Sequence, residues 1–394
     1  MTATPDLPKD ETPVGVRSLR DLIDRVSGRA LRPLSQEEDS GIAERLPFPF
    51  LAMVGQVEMK IALLLALVNP GVGGVLLIGP RGTGKTTAVR SVVDLLPEVP
   101  RSLCYFGCMP EDIEHGGLDA VCPDCAKKYG EGEPLVAMDR VRLVELPLNA
   151  RIEDVVGGLD ERAAAQERLR IRRGVLSHAD RNLLYVDEVN LLSDDIVNAI
   201  LDAAAQGSYT VRRGLLAATY RSRFALIGSM NPEEGRLRPQ ILDRFGLRVV
   251  VRGLQDTQER WDAYQRVKTY QAHPRHVIAD YAEETELARA EIQVAREVLA
   301  DVAVPEDVAQ MGLALVHDMR IDSLRAEINM FEAARACAAI DGRTAVATND
   351  LRQVAPMALR LRRSAFMNEY FDSQDVEEKE LASMLEKYIP APSR

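Results

Sequence analysis

Gly79-Pro80-Arg81-Gly82-Thr83-Gly84-Lys85-Thr86 has the spacing G-x-x-x-x-G-K-T, whose chemistry is the cradling of phosphate. Its glycines let successive backbone N–H groups turn toward one anion, with a helix N-terminus behind them. The lysine ammonium reaches the terminal phosphates and the threonine hydroxyl offers a ligand to Mg²⁺. Glu188, about a hundred residues downstream at the end of Asn182-Leu183-Leu184-Tyr185-Val186-Asp187-Glu188, is a general base for water, with Asp187 beside it for the Mg²⁺ shell. Asn231, after Arg223-Phe224-Ala225-Leu226-Ile227-Gly228-Ser229-Met230, can orient that water. Its alternative is an Asn-Pro turn. Arg244, with only Asp243 as a local acidic partner, can stabilise phosphoryl-transfer charge in cis or across a subunit boundary, or form a surface pair. Together these residues predict binding and hydrolysis of a nucleoside triphosphate with Mg²⁺.

A second chemistry is written in cysteine. Cys104-x₃-Cys108 and Cys122-x₂-Cys125 stand thirteen residues apart, a two-knuckle spacing that suits tetrahedral Zn²⁺. Pro110, Gly116, Gly117, Pro123 and Gly130 supply turns, and a metal would add folding energy in a stretch poor in apolar residues. An iron–sulfur cluster, a dithiol switch or unrelated thiols are the alternatives, and a static disulfide is disfavoured in a reducing compartment. His115 lies between the pairs as a substitute ligand. Cys337 reads as a small buried residue, and His178, with no acidic neighbour at triad spacing, as structural.

The positioning elements follow from periodicity. Val75-Leu76-Leu77-Ile78 and Leu183-Leu184-Tyr185-Val186 are short apolar runs of buried-strand type, and Thr87-Ala88-Val89-Arg90-Ser91-Val92-Val93 continues the phosphate loop as a helix. From about 46 to 252, strands alternate with helical stretches, predicting an α/β core with a mostly parallel sheet. From 253 to 365 the pattern is helical; Leu324, Ile328, Phe331 and Arg335, at i, i+4, i+7, i+11, predict a helix with that apolar face buried and Arg325 near its start. Residues 1–45 read as a flexible extension containing a short amphipathic helix (Val16, Leu19, Leu22, Ile23, Val26) that docks on the body or recruits a partner. Residues 366–394 read as an acidic tail with a solvated helical face over Asp372–Lys387.

Bulk composition narrows the classes. In 394 residues, 46% hydrophobic content supports real cores. A net charge of −11 argues against a nucleic-acid-wrapping motor. No apolar run is long enough to span a membrane, and the first residues lack a secretory apolar core. The expectation is a cytoplasmic protein with no nucleic-acid or membrane partner.

Several runs resemble one family. Asn231-Pro232-Glu233-Glu234-Gly235, Leu237-Arg238-Pro239-Gln240 and Leu242-Asp243-Arg244-Phe245-Gly246 look like the ATPase (I) subunit of magnesium chelatase. So do Val54-Gly55-Gln56, Gly71-Val72-Gly73-Gly74, Leu146-Pro147-Leu148-Asn149-Ala150, Tyr185 to Leu192, Ser323-Leu324-Arg325-Ala326-Glu327 and Ala333-Ala334-Arg335-Ala336. The similarity runs from about Phe48 to Arg363. It implies an AAA+ P-loop core with a mostly parallel sheet followed by an all-α lid; the cysteine spacing adds a small four-Cys insertion over about 101–130.

The same resemblance implies site roles. ATP would be held by Gly79 through Thr87, Asp187, Val54 and the lid's sensor Arg325; Lys85 and Thr86 would be the Walker A pair, Asp187 and Glu188 the Walker B pair, Asn231 the first sensor, and Arg244 a finger completing a neighbour's site. A homo-oligomeric ring, a hexamer, follows, working with a second AAA+-related subunit and a large porphyrin-binding subunit that carries out Mg²⁺ insertion into protoporphyrin IX. The family also carries a hairpin insertion near 151–174, where Arg168, Arg170, Arg172 and Arg173 face a pore or partner, or form a solvated loop. The cysteine module, Met230 in place of the usual glycine, and Ser364-Ala365 after Arg363 depart from the family pattern. They keep two alternatives open: a MoxR-like ATPase that remodels or metal-loads a partner, and a metal- or redox-responsive regulatory ATPase.

Overall fold

A computed structural model describes residues 46–104, 107–159, 171–214 and 216–364 of the chain. The expected N-terminal helix, Arg168 and Arg170 of the basic run, and the acidic tail lie outside them.

Eleven strands occur among the described residues: β1 (Val75–Ile78), β2 (Val99–Ser102), β3 (Val136–Asp139), β4 (Leu143–Leu146), β5 (Gly157–Leu159), β6 (Ile171–Arg173), β7 (Leu183–Val186), β8 (Ser208–Arg213), β9 (Leu216–Arg221), β10 (Ala225–Met230) and β11 (Leu247–Val250). Five of them form one parallel sheet in the order β11-β1-β10-β7-β4. Both faces are covered, so β1 and β7 are buried along their whole length and read as unbroken apolar runs.

Side-chain alternation divides the sheet's two cores. Val75, Leu77, Tyr185, Ile227 and Val249 point into one, which continues through the helix Val57–Val68 into Ile292, Val316, Met330 and Ala333 of the C-terminal helices. Leu76, Ile78, Leu184, Val186 and Leu226 point into the other, covered by Ile196, Val197 and Ile200 of the helix Asp194–Gln206. Tight approach fixes the end of β11. A Cβ on Gly246 would stand 1.6 Å from the Val72 carbonyl oxygen, so no other residue fits.

The remaining strands form three antiparallel pairs outside this sheet: β2 with β3, β5 with β6, and β8 with β9. β2 and β3 bracket the cysteine-bearing stretch. β5 and β6 lie where a hairpin was expected; Arg172 is 3.5 Å from Asp154, and Arg173 donates to Ser177 and lies over the Tyr220 ring.

Helices dominate after β11, the longest being Thr257–Ala272, Ala282–Val298 and Leu324–Ile340. One expectation is corrected here. Leu324 and Ile328 are 72% and 56% exposed, while Ala326, Met330, Ala333, Ala334 and Cys337 are buried. The alanines face inward because their small side chains allow the helix close to its neighbours, which a stripe of larger residues would prevent. Arg335, placed in the predicted stripe, donates to the carbonyls of Val302 and Leu299 and to Glu332.

Candidate nucleotide site and cysteine module

The C-terminal ends of β1, β7 and β10 open into a cleft of about 320 Å³, lined by Arg81 through Thr87, Asp187, Glu188, Ser229, Met230 and Asn231. The three strands are adjacent, so residues from distant parts of the chain meet at one end of the sheet. Gly82 and Gly84 have φ of 77° and 85°, turning the loop so that the helix Lys85–Val92 starts at its edge.

Lys85 Nζ donates to the Gly79 and Pro80 carbonyls, at 2.6 and 2.8 Å. Burial lowers its pKa despite opposition from Asp187, Glu188 and Glu234. Thr86 Oγ1 lies 3.5 Å from Asp187 Oδ2 and 3.1 Å from the Tyr185 hydroxyl. The opposite Asp187 oxygen, Oδ1, accepts from Tyr185 at 2.9 Å, from the Glu188 N–H at 3.1 Å, and from Ser229 Oγ. Burial holds the Tyr185 phenol well above its ordinary pKa, which leaves it an O–H donor at neutral pH.

Glu188 has φ 48°, a left-handed backbone costing about 1 kcal/mol or more for a residue with a Cβ. Its carboxylate is 3.3 Å from Arg81, whose guanidinium also meets Glu234 at 2.6 Å. Asn231 is buried and donates to Glu234 at 3.1 Å. Backbone donors, a lysine, a hydroxyl and two carboxylates on one concave surface suit a magnesium nucleotide.

Gly79 and Pro80 lie behind the lining, where their carbonyls accept from Lys85, and Val54, Arg244 and Arg325 lie elsewhere. Val54 is absent from the cleft lining. Arg244 ends the helix Pro239–Arg244 and pairs with Asp202 at 2.6 Å, not with its sequence neighbour Asp243. The Asp243 carboxylate instead accepts from Ser323 at 2.8 Å, Arg325 at 3.3 Å and Arg362 at 2.6 Å. Arg325 therefore rests on a joint between core and helical region. Sequence reading missed this joint, together with Ser229 in the cleft lining and Tyr185 and Glu234, which bond to the lining residues Thr86 and Asn231. Tyr185 and Ser229 near the ends of adjacent strands were the available signal.

The four cysteines converge as well, with sulfurs all within 4.8 Å of one another. Cys104 and Cys108 sulfurs are 3.8 Å apart, Cys104 and Cys122 3.5 Å. Tetrahedral Zn–S bonds of ~2.3 Å would set about 3.8 Å between sulfurs. The Cys122 N–H points at Cys108 Sγ, at 3.3 Å. Cys108 and Cys125 share a small core with Leu135, and burial lifts the Cys108 thiol to about 11. His115 is exposed, its ring bonded to the Glu111 carbonyl, and is not part of the cluster. Glu111 binds Arg181 at 2.9 Å, and Asp112 binds Arg221, docking the module on the start of β7 and on β9. A cleft of about 500 Å³ beside it is rich in arginine, but Arg101, Arg181 and Arg221 are already paired with carboxylates.

Relatives decide the family. A magnesium-chelatase subunit ChlI homolog of Methanocaldococcus jannaschii is 40% identical over 335 residues, spanning 84% of this chain and 90% of its own. The chain belongs to the magnesium-chelatase ChlI family. It is an AAA+ ATPase. The magnesium-chelatase 38 kDa subunit of Rhodobacter capsulatus is 42% identical, covering 83% of this chain and 92% of its own. An AAA domain family matches residues 71–223 of this ChlI-family chain, and an AAA lid domain family residues 313–380. A solved structure titled a putative ATPase from Cytophaga hutchinsonii has the same fold at 17% identity, with a TM-score of 0.52, 84% of this chain and 90% of its own covered. No helix among the described residues is long and apolar enough to cross a membrane.

Proposed function

We propose that this chain is the ring-forming ATPase motor that drives Mg²⁺ insertion into protoporphyrin IX on a partner subunit. The observation carrying this reading is the convergence of Lys85, Thr86, Asp187, Glu188 and Asn231 on one cleft, in a chain whose relatives bear the chelatase name over most of their length. Bound Mg²⁺ would supply charge neutralisation at the terminal phosphates. Thr86 and Asp187 would hold it, Lys85 would leave its carbonyl partners for phosphate oxygen, Glu188 would take a proton from the attacking water, and Asn231 would orient that water. Arg244 lies outside the lining of its own cleft, on a part-exposed helix end. That supports a finger acting on a neighbour, hence a homo-oligomeric ring, a hexamer, with Arg325 acting as lid sensor once freed from Asp243.

The partners are the second AAA+-related subunit and the large porphyrin-binding subunit. A net charge of −11 supports a protein rather than a nucleic-acid client. Structural Zn²⁺ on Cys104, Cys108, Cys122 and Cys125 is supported by their sulfur spacing. The cytoplasm, where thiols are kept reduced and available to a metal, is the compartment that fits this reading. The test is ATP-dependent formation of fluorescent Mg-porphyrin with both larger subunits from the same cell, followed beside phosphate release. Product lost in Glu188→Gln supports the motor; strong ATPase without product, despite active partners, transfers the assignment to a MoxR-like remodeller.

A further inference from the structure

The hydrogen bonds around Asp187 distinguish its two oxygens. Oδ1 is engaged by three donors: the Tyr185 hydroxyl, the Ser229 hydroxyl and the Glu188 N–H. Among the described residues, Oδ2 has only the Thr86 hydroxyl, at 3.5 Å. Tyr185 itself is 1% exposed, on a strand between β10 and β4. Its hydroxyl lies within reach of Thr86 at 3.1 Å and Ser229 at 3.2 Å. A phenol donates one hydrogen and accepts others. With Tyr185 donating to Asp187, the Thr86 hydroxyl can donate to the Tyr185 oxygen.

That direction of bonding has a consequence for metal binding. In that arrangement the Thr86 proton goes to the closer Tyr185 oxygen, at 3.1 Å, rather than to Asp187 Oδ2 at 3.5 Å, leaving the lone pairs of the Thr86 oxygen for a cation. Asp187 Oδ1 is occupied by protein donors, leaving Oδ2 for the same cation or its water. We propose that Tyr185 is a positioning residue for the magnesium site, presetting Thr86 and Asp187 as a pair of oxygen donors, with Ser229 sharing the task from β10. This rests on the nucleotide-site reading above and extends it to Tyr185, outside the cleft lining, and to Ser229 within it. A tyrosine serving only to fill the core needs its ring but not its hydroxyl.

Tyr185→Phe separates those roles, because it keeps the ring and removes the hydroxyl. Affinity for a fluorescent ADP analogue is measured in full-length protein with saturating Mg²⁺ and again in EDTA, and the ratio gives the coupling between metal and nucleotide. Metal-free nucleotide does not use the preset pair, so its affinity should change less than twofold. The Mg²⁺ enhancement should fall about tenfold, the low end for one hydrogen bond to a charged group, and Ser229→Ala should lower it in the same direction. An unchanged enhancement in Tyr185→Phe, while Thr86→Ala abolishes it, overturns the positioning role and leaves the nucleotide site standing. An enhancement unaffected by Thr86→Ala and Asp187→Ala overturns the nucleotide-site reading and the inference with it.

Discussion

Asp243→Asn tests the charge balance where the core meets the helical region. Two guanidiniums there have fully buried side chains, Arg248 and Arg362, and both have Asp243 as their carboxylate, at 3.8 and 2.6 Å. Arg362 also donates to the carbonyls of Asp243, Phe245 and Gly246, and Arg248 to those of Leu242 and Arg360. The amide would preserve shape and remove the negative charge. Breaking a buried ion pair costs about 3–5 kcal/mol because it strands the opposite charge. Asp243 is 27% exposed and the carbonyls remain, so the low end applies, about 3 kcal/mol. At about 2 °C per kcal/mol for a chain of this size, the unfolding midpoint should fall by about 6 °C.

The pH dependence follows from opposing effects on the same carboxyl. Burial raises the Asp243 pKa, but the Ser323 hydroxyl, Arg362 and Arg325 outweigh it and leave it below the ordinary value. A depressed folded pKa gives stability that is complete above the unfolded carboxyl value of about 4 and is lost as pH falls through the folded one. The difference between wild type and variant, read by thermal or urea unfolding, should hold from pH 7 to about 4 and close below that. Asp202→Asn is the comparison, since it removes a 55% exposed partner of Arg244 and should cost at most about 1 kcal/mol. Equal losses in both variants, or a loss under about 1 kcal/mol in Asp243→Asn, would refute the buried-charge argument.

Other expectations concern turnover, packing and metal. Glu188→Gln should lower steady-state phosphate release by about 10²–10⁴-fold while a fluorescent nucleotide still binds; normal turnover would remove Glu188 from the role of base. Arg244→Ala should lose about 10³-fold or more, and mixing it with Lys85→Ala subunits should restore part of the activity if the finger acts in trans. No recovery in rings shown by mass spectrometry to be mixed would argue against a finger acting across the boundary. Gly246→Ala places a methyl against the Val72 carbonyl and should abolish soluble folded protein at 37 °C, read by expression and circular dichroism. Elemental analysis should find one zinc per chain, lost with chelator or Cys108→Ser; iron, or no metal in freshly purified reduced protein, would overturn the zinc assignment.

Some of this protein could be read from the chain because the relevant atoms are close in sequence. Gly79 through Thr86 form a phosphate cradle from consecutive backbone N–H groups, and the apolar runs before them and before Asp187 mark strands buried on both faces. The cysteine pairs likewise make two short knuckles whose spacing bears on the ligand set. Local sequence left other matters undecided because their partners are brought together only by sheet order and helix packing. β10 lies between β1 and β7, which puts Ser229 against Asp187 and lets Tyr185 reach Thr86. Arg244 turns to Asp202, and Asp243 meets Ser323 and Arg362 across the joint with the helical region. Periodicity misplaced the buried face of the helix Leu324–Ile340, since hydrophobicity favours its larger residues while close packing selects its alanines. Sequence supplied the groups that can do the chemistry; tertiary structure decided which oxygen, charge or helix face each one meets, because those interactions act over a few ångströms between residues far apart in the chain.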